Sequence, residues 1–324
     1  VAVELRRGGE RVDQCEDYFG MRDIAVEDGG LFLNGDPLFV RGALDQGYYP
    51  ETLYRPPAPD TFEREVRTAT ELGFNLLRKH VKPPHPDFLE AADRQGLLVW
   101  AEPASPDVDT DRSRRELREQ VRGMVARDYN RPSVVAWSLY NEEWGLGGAD
   151  GETSLWADPE RQRYLADLVE TLREWDPTRL VCDNSGWAHV ETDINDYHEY
   201  VVSPERAGVW DERLDAIETA PAENYASDAD ADAGDAVRIV SEFGTWGMPD
   251  VGALRERREG AFGWANRAVA ERGAFADAGA VDGRFADLLA DTFDGYADLA
   301  ATWQAREQTS NRAAVEAMRA RDLQ

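Results

Sequence analysis

Short continuous apolar runs alternate along this chain with stretches in which apolar residues recur every three or four positions. Residues 1–5 are strand-like. Ile24-Ala25-Val26 and Leu31-Phe32-Leu33 flank Gly29-Gly30, and Asn34-Gly35 precedes Leu38-Phe39-Val40. Residues 24–40 therefore read as a hairpin with two tight turns. From there, short strands are predicted at 39–42, 73–78, 97–100, 134–139, 180–182, 193–197 (the weakest) and 237–240. Helices fall between them. Asp60-Thr61-Phe62-Glu63 reads as a capping box opening a helix to residue 72. Pro86 and Gly96 bracket another. Leu117, Val121, Met124 and Val125 mark a third, and Tyr164, Leu165, Leu168, Val169 and Leu172 a fourth. A last helix is predicted over 298–321.

Continuous apolar strands between amphipathic helices imply a parallel sheet covered on both faces. An open doubly wound sheet and a closed barrel both fit that pattern. No G-x-G-x-x-G follows the first strand, which counts against a dinucleotide-binding sheet. A (β/α)8 barrel needs roughly 250 residues, and the chain has 324. The strand count stops at seven, so the barrel is expected to end before its eighth strand and to stay open between strands one and seven. Residues 221–235, a mixture of Ala, Asp, Ser and Gly, read as a solvated loop.

Charge narrows the choice of partners. Asp and Glu number 64 against 36 Lys and Arg, a formal net charge of −28. Such a surface repels phosphate, so no nucleic acid partner is expected. Only Lys79 and Lys82 are lysines. A Lys-poor, acid-rich surface suits a halophile, where salt screens the self-repulsion. No run of 18 apolar residues suggests a membrane span. No charged and apolar leader is present, so a cytoplasmic location is expected, although the sequence begins at Val1 rather than Met. The two cysteines, Cys15 and Cys182, make no disulfide framework. The four histidines form no metal-binding pattern, and no metal or cofactor is expected.

In a barrel, catalytic groups sit at the C-terminal ends of the strands. Those ends carry Asp45 and Gln46, Arg78 and His80, Glu102, Asn141 and Glu142, Asp183 and Asn184, Tyr197 and His198, and Glu242. Glu142 and Glu242 follow apolar strands four and seven. Two facing carboxylates suit glycoside cleavage, one protonating the leaving oxygen and one attacking the anomeric carbon.

The words around them carry a resemblance. Arg127-Asp128-Tyr129-Asn130-Arg131-Pro132-Ser133 with Trp137-Ser138-Leu139-Tyr140-Asn141-Glu142 resembles the acid/base segment of glycoside hydrolase family 2, with Arg131 where His is usual and Tyr140 where Gly is usual. Ser241-Glu242-Phe243-Gly244 resembles its nucleophile segment. Tyr18-Phe19-Gly20-Met21-Arg22 resembles the junction between its β-sandwich and barrel. Leu33-Asn34-Gly35 with Val40-Arg41-Gly42 resembles the entry to strand one. Gly73-Phe74-Asn75-Leu76-Leu77-Arg78 and residues 92–100 resemble strands two and three.

The resemblance implies a retaining, exo-acting β-glycosidase of the β-galactosidase, β-glucuronidase or β-mannosidase type, built on a TIM barrel over 21–324. Residues 1–20 would be the terminal strand of a preceding immunoglobulin-like sandwich, and the barrel would be incomplete at its C-terminus. Glu142 would be the acid/base and Glu242 the nucleophile. Glu142, beside another carboxylate, is expected to have a raised pKa. Asn141 would bond the sugar 2-hydroxyl, and Arg78 would keep Glu242 ionised. Tyr197 or His198 would touch nucleophile or substrate, Trp246 would be a stacking platform, and Asp45 a supporting residue. Trp303, within a helix, reads as core. The partner is a carbohydrate, and a homo-oligomer stays open for the full-length form. Two rivals remain: a non-catalytic carbohydrate-binding or scaffold fragment, and another two-carboxylate barrel hydrolase such as an endo-glycanase.

Overall fold

The computed structural model describes residues 1–49, 52–147, 155–201, 204–226, 235–244, 296–321 and 323. The chain starts with an antiparallel hairpin, β1 (Ala2–Arg7) and β2 (Glu10–Glu16). Two strands thus stand where the sequence suggested one. Gly8 and Gly9, at φ +59 and +90, make the turn, which residues with a Cβ enter only at a cost. Every residue of both strands is exposed.

The following segment is strapped to the base of the barrel. The Arg22 guanidinium donates to the carbonyls of Thr178 (2.5 Å) and Val134 (2.7 Å). Gly20 lies so close to Pro132 that a Cβ would come within 2.4 Å of its ring. Then β3 (Ile24–Glu27) and β4 (Gly30–Leu33) form the expected hairpin, and β5 (Asp36–Pro37), ahead of the Leu38-Phe39-Val40 run, extends it to a meander. Its Ile24 and Leu31 pack with Leu76, Val135, Leu180, Ile194 and Val237, residues at the starts of the barrel strands. The small sheet therefore plugs the N-terminal mouth and leaves the opposite mouth for chemistry.

Five parallel strands follow in spatial order: β6 (Gly42–Asp45), β7 (Leu76–Lys79), β8 (Leu98–Ala101), β9 (Val134–Asn141) and β10 (Leu180–Ser185). The first begins three residues later than the apolar pattern predicted. The Asn75 side chain takes the Phe39 carbonyl (2.8 Å) and the Arg41 N–H (2.7 Å), and its backbone N–H takes the Arg41 carbonyl (2.9 Å), so Asn75 engages 39–41 ahead of the regular ladder. A second parallel pair, β11 (Ile194–Glu199) and β12 (Val237–Phe243), continues the wall. Asp193 joins the two sheets: its N–H donates to the Val181 carbonyl at 2.8 Å and its carboxylate accepts from Val181 N at 2.7 Å. Among the described residues β12 and β6 share no ladder. The expectation about an eighth strand falls largely on 245–295, outside the described residues.

The outer layer consists of α1 (Thr61–Glu71), α2 (Pro86–Gln95), α3 (Asp111–Asp128), α4 (Pro159–Trp175), α5 (Val209–Thr219) and α6 (Tyr296–Arg319). The first four bury Phe62, Val66, Phe88, Leu89, Val121, Met124, Leu165 and Leu168 against the strands. The fifth was not read from the sequence, although Trp210, Leu214 and Ile217 recur at helical spacing and are buried. Trp303 on α6 is exposed, not core. Residues 221–224 are a 3-10 turn, and Ala226 N bonds the His189 carbonyl at 2.7 Å, so the supposed loop begins as ordered wall; 227–234 lie outside the described residues. No described helix is long and apolar enough to cross a membrane.

The capping expectation fails at α1 for a visible reason. Asp60 makes no side-chain cap bond and leans toward Arg64 at 3.6 Å. At α3, Thr110 and Ser113 close a reciprocal box. Thr110→Ala is therefore expected to cost about 1 kcal/mol in urea unfolding, and Asp60→Ala less than about 0.5 kcal/mol. A reversed order would show that the observed caps do not set helix stability.

Candidate active site

Strand alternation decides which side chains enter the mouth. On β7, Leu77 and Lys79 point outward; the Lys79 ammonium lies 4.0 Å over the Phe88 ring on α2. Arg78, between them, points inward and is buried. Its Nε donates to Glu102 just past β8, Nη2 to Asn141 Oδ1 of β9 (2.7 Å), and Nη1 to Ser241 Oγ (2.8 Å) and Glu242 Oε1 (3.0 Å) of β12. Its Cζ lies 5.1 Å from the centroid of the Trp100 ring. Burial alone would lower the Arg78 pKa, but Glu102, Asp196 and Glu242 outweigh it and push it up. Burial pushes Glu102 to about 6 against the pull of Arg78.

Glu242 is held by two hydrogen-bond donors with two imidazoles nearby, of which His198 Nε2 lies 3.4 Å from Oε1. Besides Arg78, the Tyr200 hydroxyl donates to Oε2, and His80 Nε2 lies 3.7 Å from Oε1. Burial and the Arg78 charge lower His80 to about 4, so it stays neutral at neutral pH.

Glu142 stands one residue past β9. Glu142 and Glu143 adopt φ +49 and +58, two successive left-handed residues with side chains, each costing about 1–2 kcal/mol. The turn is overdetermined. Glu142 N donates to the Ser185 carbonyl (2.9 Å), Glu143 N to Asn184 Oδ1 (3.0 Å) and Trp144 N to the Asn141 carbonyl (2.8 Å). Glu143 Oε2 accepts from Leu155 N at 3.1 Å, which turns it toward the following loop, whereas Glu142 Oε1 meets His198 Nδ1 at 2.7 Å. The hydrogen bond from His198 holds the Glu142 carboxyl below the usual range. The expected raised pKa is thus reversed: the nearest charge is an imidazole and not only a second carboxylate.

On β11 the inward positions are Asp196 and His198, and Tyr200 continues the same spacing of two. Outward, Asn195 bonds the Pro221 carbonyl (3.0 Å), Tyr197 packs with the cluster of Trp210 and Leu214, and Glu199 faces Arg213 (3.7 Å). Tyr197 therefore lies on the helix side of the wall, and Tyr200 touches the nucleophile candidate. Three polar side chains at intervals of two, Asp196-His198-Tyr200, were the available sequence signal. Asp45 accepts from Lys79 Nζ (2.5 Å) and Gly47 N (2.7 Å) and lines the groove beside Thr61, Glu65 and Thr68 of α1, so it lies on the helix side of the wall and not with the two carboxylates. Trp246 lies outside the described residues.

Glu142, His198 and Glu242 each offer an atom within 4.8 Å of the others. Arg78 already supplies positive charge to this group, which disfavours a bound cation. Cys182, Asp183 and His189 are equally close. There Asp183 accepts from Val190 N (2.6 Å), Glu191 N (3.0 Å) and His189 (2.6 Å), and His189 Nε2 accepts from Asp196 N at 2.9 Å. That cluster is a loop staple with its donors and acceptors used.

Comparison with known proteins finds relatives across the barrel. A family model described as glycosyl hydrolases family 2, TIM barrel domain, matches residues 24–259. "Beta-galactosidase 2" of Enterobacter cloacae is 31% identical over 217 residues, 64% of this chain and 19% of the relative. A beta-galactosidase of Photobacterium profundum is 31% identical over 190 residues, 55% of this chain and 18% of the relative. The chain thus spans about a fifth of the curated relatives it matches. An FMN-binding beta-glucuronidase from Facaelibacterium prausnitzii L2-6 superimposes with TM-score 0.59 at 25% identity, covering 76% of this chain and 37% of that one. The apo beta-glucuronidase of Ruminococcus gnavus shares the fold at TM-score 0.60 and 17% identity, covering 76% and 42%.

Removing Arg78 leaves Glu102 and Glu242 without their cation. Arg78→Met is expected to cost about 3–5 kcal/mol at pH 8. Glu102 already has a raised folded-state pKa, so its favourable contribution is present at low pH and lost as pH rises. The penalty should therefore shrink toward pH 5. Urea unfolding at both pH values tests this; equal penalties would overturn the assignment of Arg78 as neutralising cation.

Proposed function

The chain belongs to glycosyl hydrolase family 2, through that family's TIM barrel domain, and from this premise we propose that it is a retaining, exo-acting β-glycosidase. The observation that carries the reading is the pair Glu142 and Glu242, whose oxygens lie within 4.8 Å of each other at the ends of β9 and β12. Retaining enzymes hold their carboxyl groups about 5–5.5 Å apart, and inverting ones about 6.5–9.5 Å to admit a water. The close spacing supports retention. The names of the relatives, β-galactosidase and β-glucuronidase, each denote a single sugar, which supports action on terminal residues.

In this reading Glu242 attacks the anomeric carbon. Arg78 and Tyr200 fix its two oxygens on opposite sides, which orients the attacking lone pair. Glu142 protonates the glycosidic oxygen as that bond breaks, then removes a proton from the water that hydrolyses the glycosyl-enzyme. Asn141 is 1% exposed, and its Nδ2 has no hydrogen-bond partner among the described residues. Arg78 holds Oδ1 and so aims that free donor at the sugar, in keeping with a bond to its 2-hydroxyl.

The test uses the intact protein that carries this chain, after an aryl-glycoside panel has chosen the sugar. Glu242→Ala should abolish glycosyl-enzyme formation, and added azide should give an inverted glycosyl azide. Glu142→Ala should still form the intermediate from substrates with good leaving groups, and azide should give the retained product. Glu143→Ala should keep most activity. Retained product from Glu143→Ala in place of Glu142→Ala would move the acid/base role by one residue. Indifference at Glu142 and Glu242 would sink the hydrolase reading and leave a carbohydrate-binding one.

A further inference from the structure

We propose that His198 is the proton partner of Glu142: one proton rests on His198 Nδ1 in the empty site and passes to Glu142 Oε1 when a glycoside covers it. The inference rests on the reading of Glu142 as acid/base. His198 acts through Glu142 and is a positioning residue, not a group that touches substrate.

The geometry is built for this ring. Its side chain is 1% exposed, and Nδ1 lies 2.7 Å from Glu142 Oε1. One face lies on Gly186, which has φ +74; a Cβ there would come within 2.1–2.3 Å of three ring atoms. Position 186 must therefore stay without a side chain for His198 to sit where it does. Nε2 faces Ser185 Oγ (3.2 Å), Asp196 Oδ2 (3.7 Å), Glu242 Oε1 (3.4 Å) and Arg78 Nη1 (3.2 Å); that Nη1 has closer acceptors in Ser241 Oγ (2.8 Å) and Glu242 Oε1 (3.0 Å) for its two N–H groups, which leaves Nε2 free to donate. The Ser185 hydroxyl itself donates to Asp196.

The charges around the ring favour its protonated form. Arg78 faces it from β7 and His80 from the residue after that strand, Glu142 from the residue after β9, Asp196 from its own strand and Glu242 from β12; the contacts at the end of β10 are the uncharged Ser185 and the Gly186 that follows it. Three carboxylates thus oppose one guanidinium, since His80 is neutral. Burial would lower the His198 pKa, but Asp196 and Glu142 push it up to about 9. Burial would raise Asp196, yet His198, Arg78 and Ser185 hold it at about 2.

A general acid held ionised in the empty site needs a proton source. His198 keeps that proton one hydrogen bond away. The Glu142 side chain is 23% exposed, and a bound sugar excludes that water. A charge-separated pair costs more once dry, so the proton moves to give neutral imidazole and neutral carboxyl. Glu142 then hands the proton to the glycosidic oxygen, which keeps the bonding pair as Glu242 bonds to the anomeric carbon. In the second step Glu142 takes a proton from water and returns it to His198.

The experiment compares the intact wild-type protein with His198→Gln, and follows kcat/KM against pH for aryl glycosides with poor and good leaving groups. In wild type the basic limb should fall near pH 9, where the pair loses its proton. In His198→Gln it should move down by at least about two pH units, toward the carboxylate range. Activity at pH 8 on poor leaving groups should drop about 100-fold or more, with little change for good ones. Nitrogen-15 spectra of the histidines should show His198 titrating near pH 9 and shifted down in Glu142→Gln. A uniform loss with both leaving groups and an unmoved basic limb would overturn the proposal. A His198 titration indifferent to Glu142→Gln would do the same. If that titration shifts but leaving-group dependence is absent in every variant, the fault lies with Glu142 as acid/base; the azide products of Glu142→Ala show this separately.

Discussion

One buried guanidinium holds the mouth of this barrel together. Arg78 reaches the residue just past β8 through Glu102, β9 through Asn141 and β12 through Ser241 and Glu242. A lysine could not reproduce this, because a point charge on a flexible stem cannot donate along three fixed directions at once. Burying such a charge is costly unless its partners are close and its remaining N–H groups are used. Here the strand ends supply both. The arrangement also works in reverse: three carboxylates, Glu102, Asp196 and Glu242, crowd one cavity, and only a central cation makes that tolerable. Arg78 fixes strand spacing and charge balance in the same contacts.

The other site residues follow from that balance and from strand pleat. β11 sends Asp196 and His198 inward and Asn195, Tyr197 and Glu199 outward, with Tyr200 continuing the inward series. Asp196 binds Ser185, Ser241 and His198 from below, so the histidine is held between a carboxylate at the base and Glu142 at the rim. The two left-handed residues after β9 bring Glu142 over this stack while sending Glu143 away. Backbone strain at that turn is offset by four neighbouring hydrogen bonds rather than by glycine.

Much of this was legible in sequence. Apolar strands separated by helices gave the alternating order, and Asn141-Glu142 and Ser241-Glu242 located both carboxylates at strand ends. What failed did so for local reasons. Position 60 carries a good capping residue, but Asp60 turns toward Arg64, so no box forms. The first barrel strand starts at Gly42 because Asn75 claims the preceding backbone. Tyr197 was named and Tyr200 was not, because matching to a motif ignores which face of the strand a residue occupies; a bulge between Tyr197 and His198 also shifts the register with β12. The sign of the Glu142 shift was missed because the sequence cannot show that His198, 56 residues away, would arrive at its carboxylate.

The opposite end of the barrel shows that the use of arginine is general in this chain. Arg179, 7% exposed, donates to the carbonyls of Val134 (2.9 Å), Tyr129 (3.0 Å) and Arg131 (2.8 Å), and to Asp176 (2.6 Å). Asp176 also accepts from Trp137 Nε1 at 2.9 Å, and Trp137 lies on the strand that ends in Asn141. The segment 128–133, which carries much of the family-like wording before β9, is therefore read by a guanidinium at its carbonyls. Its sequence is constrained by backbone shape at the base, not by contact with substrate. Strand β9 is thus clamped by Arg179 where it begins and by Arg78 where it ends, and the position of Glu142 is set from both.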